Sequence, residues 1–241
     1  FPIREVANIG DELGIPLIVD NTAAPVICKP IEHGASVVMY STTKFIAGHG
    51  TSVGGMVVDS GKFDWEKHAK RFPLLNEPDP SYHGAGWTQA VKPIGPVAYA
   101  IKLRCTVLRD IGAAASPFNS FQTIQGMETL PLRMERHCSN AEKLAAFLEN
   151  HPKVSWVNYA ALGTSPYNAL CQKITDGKAS GILSFGIKGG IEAGAKFIDA
   201  LQMVLRLVNI GDAKSLACHP ASTTHRQLNP EELSKAGVSE D

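Results

Sequence analysis

In "MYSTTKFIAGHGTSVGGMVVD", residues 39–59, one lysine, Lys44, follows three hydroxyl side chains, Ser41, Thr42 and Thr43, and precedes Gly48, Gly50, Gly54 and Gly55. A lysine behind hydroxyls is, taken alone, an ordinary solvated loop residue. A lysine that forms a Schiff base with an aldehyde cofactor needs more: an amine that is partly neutral and a cofactor anchored beside it. Pyridoxal phosphate suits the neighbouring residue types. The hydroxyls of Ser41 and Thr43 can bond a dianionic phosphate, and along an extended chain alternation turns these two the same way, with Thr42 opposite. A carboxylate on an adjacent strand would hold the pyridine nitrogen protonated, so that the ring works as an electron sink. Asp20, 24 residues before Lys44, is the candidate. The four glycines would let backbone approach the cofactor or a neighbouring subunit.

Two apolar runs must position these groups. "ASVVMYS" has the length and β-branched content of a buried strand ending at about Ser41, which leaves Lys44 just past a strand end. "IPLIVDNT" reads as a second buried strand that delivers Asp20 and Asn21 to its own carboxyl end. Open α/β sheets place ligand sites at the carboxyl ends of their strands. An aspartate closing one such run is therefore either paired or chemically employed.

Around them the expected order is a helix over about 3–13, a strand over 15–20, a turn and helix near 30, and strands over 35–41 and 53–58. This alternation predicts a parallel-rich sheet. Residues 72–96 carry five prolines and three glycines in a long loop, whose role as cover, interface element or insertion the residues leave open. Helical spacing follows in "PVAYAIKLRCTVLRDIGAA", broken at Pro117, and in "LPLRMERHCSNAEKLAAFLEN". A domain break falls near Gly126 to Pro131, giving a larger domain over 1–130 and a smaller α+β domain over 131–241. In the second, "KVSWVNYA", "GILSFGIKGG" and "RLVNIG" read as strands and "IEAGAKFIDALQMV" as a helix. "GDAKSLACHPASTTHRQL" reads as a hydroxyl- and histidine-rich loop, which as composition is equally a plain polar turn.

Formal net charge is zero, from 23 basic and 23 acidic residues, and no basic block exceeds "KR". That points away from nucleic acid and anionic membranes and toward a small-molecule partner. With no apolar run of transmembrane length and no leader-like segment, the expected location is cytoplasmic. The five cysteines, Cys28, Cys105, Cys138, Cys171 and Cys218, are odd in number, widely spaced and without a C-x-x-C pair, which argues against a disulfide framework or a zinc site. His219 and His225 have no third ligand nearby in sequence. No metal is expected.

"PLIVDNT", "YSTTKFIAGHGTSVGGMVVDSGKFDW", "LRMERHCSNAEKLAAFLENHPKVSWVNY", "SPYNAL" and "SLACHPASTTHRQL" together resemble the Cys/Met-metabolism family of pyridoxal phosphate enzymes. The resemblance covers essentially the whole chain. Within the family, "STTKFIAGHGTS" and "HPASTTH" lean toward the O-acetylhomoserine sulfhydrylase branch rather than the cystathionine-synthesising or lyase branches. It implies a type I aminotransferase-like α/β fold, with a mostly parallel sheet in the large domain. It implies Lys44 as Schiff-base residue and general acid/base, Asp20 on the pyridine nitrogen, Ser41 and Thr43 on the phosphate, and Ser215 near the substrate carboxylate. The implied reaction is γ-replacement: O-acetyl-L-homoserine and sulfide, or a thiol, give homocysteine or its thioether and acetate. Cystathionine γ-synthase and methionine γ-lyase chemistry are the alternatives within the family, and a noncatalytic cofactor-binding or structural piece is the alternative outside it. A homo-oligomer, a dimer of dimers, is implied as well. By the same resemblance the chain starts inside the helix before the Asp20 strand and stops short of a carboxylate-binding arginine. The expectation is therefore a piece of an enzyme, without the main phosphate loop and the ring-stacking aromatic.

Overall fold

Helix α1 (Ile3–Leu13) buries Ile3 and Ala7 and ends at Gly14, where a φ of 65° lets the glycine N–H bond the carbonyls of Gly10 and Asp11. This is the computed structural model's first element, and the residues it describes are 1–238. The chain groups into two compact units. One comprises Phe1–Thr22, Lys29–Thr42 and Val53–Gln122; the other comprises Ala23–Cys28, Thr43–Ser52 and Thr123–Asp241.

In the first unit, β1 (Ile18–Asp20), β2 (Val37–Ser41) and β3 (Gly55–Asp59) form one sheet in that order. The pairing of β1 with β2 is parallel, with Ile18 opposite Val37 and Asp20 opposite Met39. That of β2 with β3 is antiparallel, with Ser41 opposite Gly55. β2 is the central strand, and its Val37 and Val38, which point to opposite faces, are each 1% exposed. The run expected to form a buried strand over 15–20 supplies only three strand residues. Ile18 and Asp20 are exposed, because among the described residues β1 has a neighbour on one side only. On β3, Met56, Val57 and Val58 likewise remain exposed.

The proline-rich stretch over 72–96 is folded rather than an open loop. It contains α2 (Pro73–Asn76) and α3 (Trp87–Ala90), and packs with α4 (Ala98–Lys102), whose helical path continues through α5 (Arg109–Ile111) to Gly112. Phe63, Trp65, Leu75, Trp87, Val91 and Ala98 form its core, and the Trp65 and Tyr99 rings stack with centroids 5.3 Å apart. Polar groups inside it are satisfied. Asp79 accepts from Trp87 Nε1 at 2.8 Å, from the Ser81 N–H at 2.9 Å and hydroxyl at 2.7 Å, and from Lys102. Asn76 donates to the carbonyls of Trp65 and Phe72 and accepts from the Thr88 hydroxyl.

Helix α6 (Pro117–Glu128) straddles the two groups of residues, and α7 (Leu130–Glu149) is the longest element of the second unit. α7 buries Met134, Cys138, Ala141, Ala145 and Leu148, a 4-3-4-3 spacing that holds one face of a helix against a core. β4 (Val154–Asn158) and β5 (Ser184–Ile187) pair antiparallel, with α8 (Asn168–Thr175) between them in sequence and α9 (Gly190–Ala200) after them. The buried Tyr159 hydroxyl donates to the Ser180 carbonyl at 2.9 Å. "RLVNIG" is not a full strand: of its residues only Arg206 lies in β6 (Leu205–Arg206), which pairs in parallel with β7 (Leu216–Ala217) inside the segment expected to be all loop. Asn209 and Gly211 are thereby left on the connection between them. The last helix, α10 (Pro230–Lys235), opens with a capping box between Asn229 and Glu232.

The Asp79 cluster makes the folded 72–96 segment testable. Hydrogen bonds from Lys102, then from the Ser81 side chain and the Trp87 indole, hold the Asp79 carboxyl well below the usual carboxylate range. A depressed carboxyl stabilises the fold above its unfolded pKa, and that contribution is lost as pH falls through the lower folded value. Asp79→Asn should therefore be less stable than wild type above about pH 4, with the gap closing only in stronger acid. Denaturant titrations at several pH values would check this, and a gap that widens toward acid would refute it. Trp87→Ala should cost about 3–5 kcal/mol in the same assay, because it empties the centre of the segment's core.

Candidate active site

The chain leaves β2 at Ser41 and does not stay extended. The Thr42 N–H makes one last ladder bond, to the Gly54 carbonyl at 3.0 Å, and the backbone then coils through Thr42–Ile46. Lys44 interrupts this coil with a non-helical backbone, φ −88° and ψ −127°, while its carbonyl still accepts from the Gly48 N–H at 2.8 Å. The alternation expected to turn Ser41 and Thr43 the same way thus stops at Ser41. Burial still sets Thr42 apart: it is buried, whereas Ser41, Thr43 and Lys44 are half-buried.

In the first unit, Asp20 and Ser41 sit at the carboxyl ends of the paired strands β1 and β2. Asp20 is exposed, and its Oδ1 accepts from the Thr22 N–H at 2.9 Å, a local turn that orients the carboxylate without consuming its charge. The Thr22 hydroxyl accepts from the Ser41 N–H at 2.8 Å, tying the two strand ends together. Next to Asp20, the buried Asn21 donates to the Tyr40 hydroxyl at 3.2 Å. Gly54 has no room for a Cβ, which would stand 2.6 Å from the Thr42 hydroxyl.

In the second unit, the Lys44 side chain ends on Asn209, with Nζ 2.6 Å from Oδ1. Sequence reasoning missed this residue, which it had placed inside a strand. No local pattern marks it: Asn209 stands between Val208 and Ile210 within an apolar run. Phe45, Ile46, Ala47 and Gly48 are all buried. Two glycines make that burial possible: a Cβ at Gly126 on α6 would stand 2.4 Å from the Ala47 carbonyl oxygen, and one at Gly211 would stand 2.4 Å from the Phe45 nitrogen. Arg133, from α7, donates to the carbonyls of Phe45 at 2.6 Å, Ile46 at 3.0 Å and Gly126 at 2.6 Å. His137, one turn further along α7, meets the Phe45 ring edge-on at 5.3 Å. Burial, then the Arg133 cation, push its imidazole below the ordinary range, with Asp212 pulling the other way.

The "GDAKSL" segment is divided in its contacts. Asp212 is buried, and burial pushes its carboxyl up, but hydrogen bonds from the Lys214 N–H at 2.9 Å and ammonium at 3.0 Å outweigh this, and the net shift is downward. Ser215 is exposed, and its carbonyl accepts from the Leu205 N–H at 3.0 Å at the start of the β6 and β7 pairing. Asp20 and Ser41 thus belong to one unit, and Thr43, Lys44 and Ser215 to the other.

The residue types in each unit fit pyridoxal phosphate on a chemical ground. The Lys44 amine rests on a neutral amide oxygen, so it can turn to a carbonyl carbon without breaking an ion pair. Taken by itself, the first unit carries at its strand ends a carboxylate, Asp20, and a hydroxyl, Ser41, of the types that a pyridinium nitrogen and a phosphate require. Among the described residues, no group of three His, Cys, Asp or Glu is placed to hold a metal ion, and no helix is long and apolar enough to cross a membrane.

Comparison with known proteins agrees with this chemistry. The chain is 49% identical over 243 residues to the O-acetyl-L-homoserine sulfhydrylase of Leptospira meyeri, covering 98% of this chain and 54% of that protein. It is 48% identical over 240 residues to the homocysteine synthase of Schizosaccharomyces pombe, covering 99% of this chain and 55% of that protein. The chain therefore spans about half the length of these relatives. Among solved structures, a putative O-acetylhomoserine (thiol)-lyase from Campylobacter jejuni, which carries an N'-pyridoxyl-lysine-5'-monophosphate, superposes with a TM-score of 0.90 at 40% identity, over 99% of this chain and 56% of that one. The cystathionine gamma synthase of Xanthomonas oryzae superposes with a TM-score of 0.75 at 30% identity, over 99% and 52%. The fold is mixed α/β, of the type I class of pyridoxal phosphate enzymes. A family model for Cys/Met metabolism PLP-dependent enzymes matches residues 1–241, and the chain belongs to that family.

Proposed function

We propose that this chain is the lysine-bearing portion of a pyridoxal phosphate-dependent sulfhydrylase. Its reaction is γ-replacement, in which O-acetyl-L-homoserine and hydrogen sulfide give L-homocysteine and acetate. The observation that carries the proposal is the Lys44 amine, half-buried just past a strand end and, among the described residues, held by Asn209. When bound, pyridoxal phosphate supplies an electron-accepting ring that stores the charge left when a proton leaves the substrate.

The chain's own residues do the rest. Lys44 holds the cofactor and carries protons at Cα and Cβ, the two positions whose deprotonation lets acetate leave from Cγ and sulfide take its place. Asn209 keeps the amine in reach while it is free. Asp20 holds the proton on the pyridine nitrogen, Ser41 and Thr43 donate hydroxyls to the phosphate, and Ser215 takes the substrate carboxylate. The sulfhydrylase reading is preferred to cystathionine γ-synthase chemistry because the thiol-lyase superposes more closely than the cystathionine gamma synthase, at TM-scores of 0.90 and 0.75. A homo-oligomer belongs to the same proposal, supported by Phe118, Phe121, Ile124 and Met127, which leave an apolar stripe exposed along α6. A cytoplasmic location is supported by five cysteines that are all free thiols.

Four measurements test the proposal. Borohydride reduction of the full-length protein with pyridoxal phosphate, followed by peptide mapping, should place the pyridoxyl mass on Lys44; a label on another lysine would remove it from this role. Asp20→Asn should keep the fold and lose at least about a hundredfold in kcat, because a neutral amide cannot hold the ring nitrogen protonated. Near-normal turnover would rule that role out. In the cofactor-free protein, Asn209→Ala should speed amine labelling of Lys44 roughly fivefold, the loss of about 1 kcal/mol of hydrogen bonding, and Asn209→Asp should slow it by creating an ion pair. Equal rates in all three would show that the contact does not restrain the amine. Product assays comparing O-acetylhomoserine with O-succinylhomoserine, and sulfide with methanethiol and cysteine, decide the substrate pair.

A further inference from the structure

Arg133 has five N–H donors and, among the described residues, no carboxylate partner. Nη1 donates to the Phe45 carbonyl at 2.6 Å, Nη2 to the carbonyls of Ile46 at 3.0 Å and Gly126 at 2.6 Å, and Nε to the Thr129 hydroxyl at 3.2 Å. A half-buried guanidinium given over to backbone carbonyls is an uncommon use of an arginine, since the charge would be better compensated by a carboxylate. Burial correspondingly lowers its basicity. The position of those carbonyls explains the use. Two of the three, those of Phe45 and Ile46, belong to the first two residues after Lys44, where the non-helical backbone of the lysine breaks the coil and leaves its last carbonyls without helical partners. A planar fork on two successive carbonyls sets the orientation of both peptide planes, which a single donor cannot do.

We propose that Arg133 is a positioning residue for Lys44: its guanidinium, seated on the carbonyls of Phe45 and Ile46, holds the backbone from which the lysine side chain springs. Lys44 is then restrained at both ends, by Arg133 at its backbone and by Asn209 at its amine. A lysine stem is long and rotamer-rich, so a Cα free to shift would spread the amine over several positions, and a displacement near 1 Å costs on the order of a hundredfold in rate. The proposal rests on the reading of Lys44 as the cofactor's lysine, and adds to it a residue that touches neither cofactor nor substrate.

The test uses Arg133→Lys and Arg133→Ala in the full-length protein. Without cofactor, amide hydrogen exchange over residues 45–48 should rise roughly tenfold in Arg133→Ala, while the buried face of α7 keeps its protection. With cofactor, borohydride should still place the label on Lys44. kcat should fall about a hundredfold in Arg133→Ala with KM changed less than about threefold, and less steeply in Arg133→Lys, whose ammonium cannot fork. Low-millimolar guanidinium should restore part of kcat in Arg133→Ala and none in wild type, a response that general loss of stability would not give. If Arg133→Ala does not fold, Arg133→Lys carries the same exchange and kinetic comparison. A normal kcat in Arg133→Lys together with unchanged exchange at 45–48 would overturn the positioning role while leaving Lys44 labelled. Absence of a label on Lys44 in wild type would overturn the functional reading and this role with it.

Discussion

A buried carbonyl must have a donor, and the carbonyls that follow Lys44 meet that requirement in a way that shapes much of the second unit. Phe45, Ile46 and Ala47 are between 1% and 4% exposed. An unsatisfied buried carbonyl costs about 1–3 kcal/mol. Arg133 serves two of the three, and the His49 ring meets the Ala47 oxygen at 2.8 Å. The arrangement demands that α6 come within backbone contact of the loop, hence Gly126, and that the connection after β6 do so too, hence Gly211. It also fixes the phase of α7, which must point Arg133 and His137 at the loop while burying Met134 and Cys138. The half-buried Lys44 side chain springs from a tightly specified piece of backbone.

The segment over 72–96 solves a similar problem independently. Its prolines and glycines preclude long regular elements, so it cannot satisfy its backbone by helix or sheet ladders alone. Asp79 and Asn76 take over that work with side chains, and the tryptophans enclose them in an aromatic cluster. Lys102 completes the arrangement from α4, where it contacts Asp79 and also lies 5.5 Å from the Trp87 ring centroid. This is a locally closed network, in which every polar member has a partner, and such networks hold a single conformation where a loosely apolar loop would hold several.

What the residues alone determined are the features carried by neighbours in sequence. The lysine behind hydroxyls, the aspartate closing an apolar run, helix α1 up to Gly14 and helix α7 with its one apolar face are all local patterns, because periodicity and chain order survive without any tertiary contact. The strand limits were less legible. Both apolar runs were found, but whether 15–17 pair as strand depends on a neighbouring chain, which the residues themselves do not state. The folded state of the proline-rich segment was likewise invisible, since its order comes from Asp79 meeting Lys102 across 23 positions. Only the tertiary structure decided what holds Lys44. Asn209 lies 165 positions from it, and Arg133 lies 88 positions from Phe45. A hydrogen bond across such a separation places no demand on local propensity or periodicity at either end, so neither residue differs in its sequence surroundings from an ordinary polar one. Folding alone brings them to the lysine.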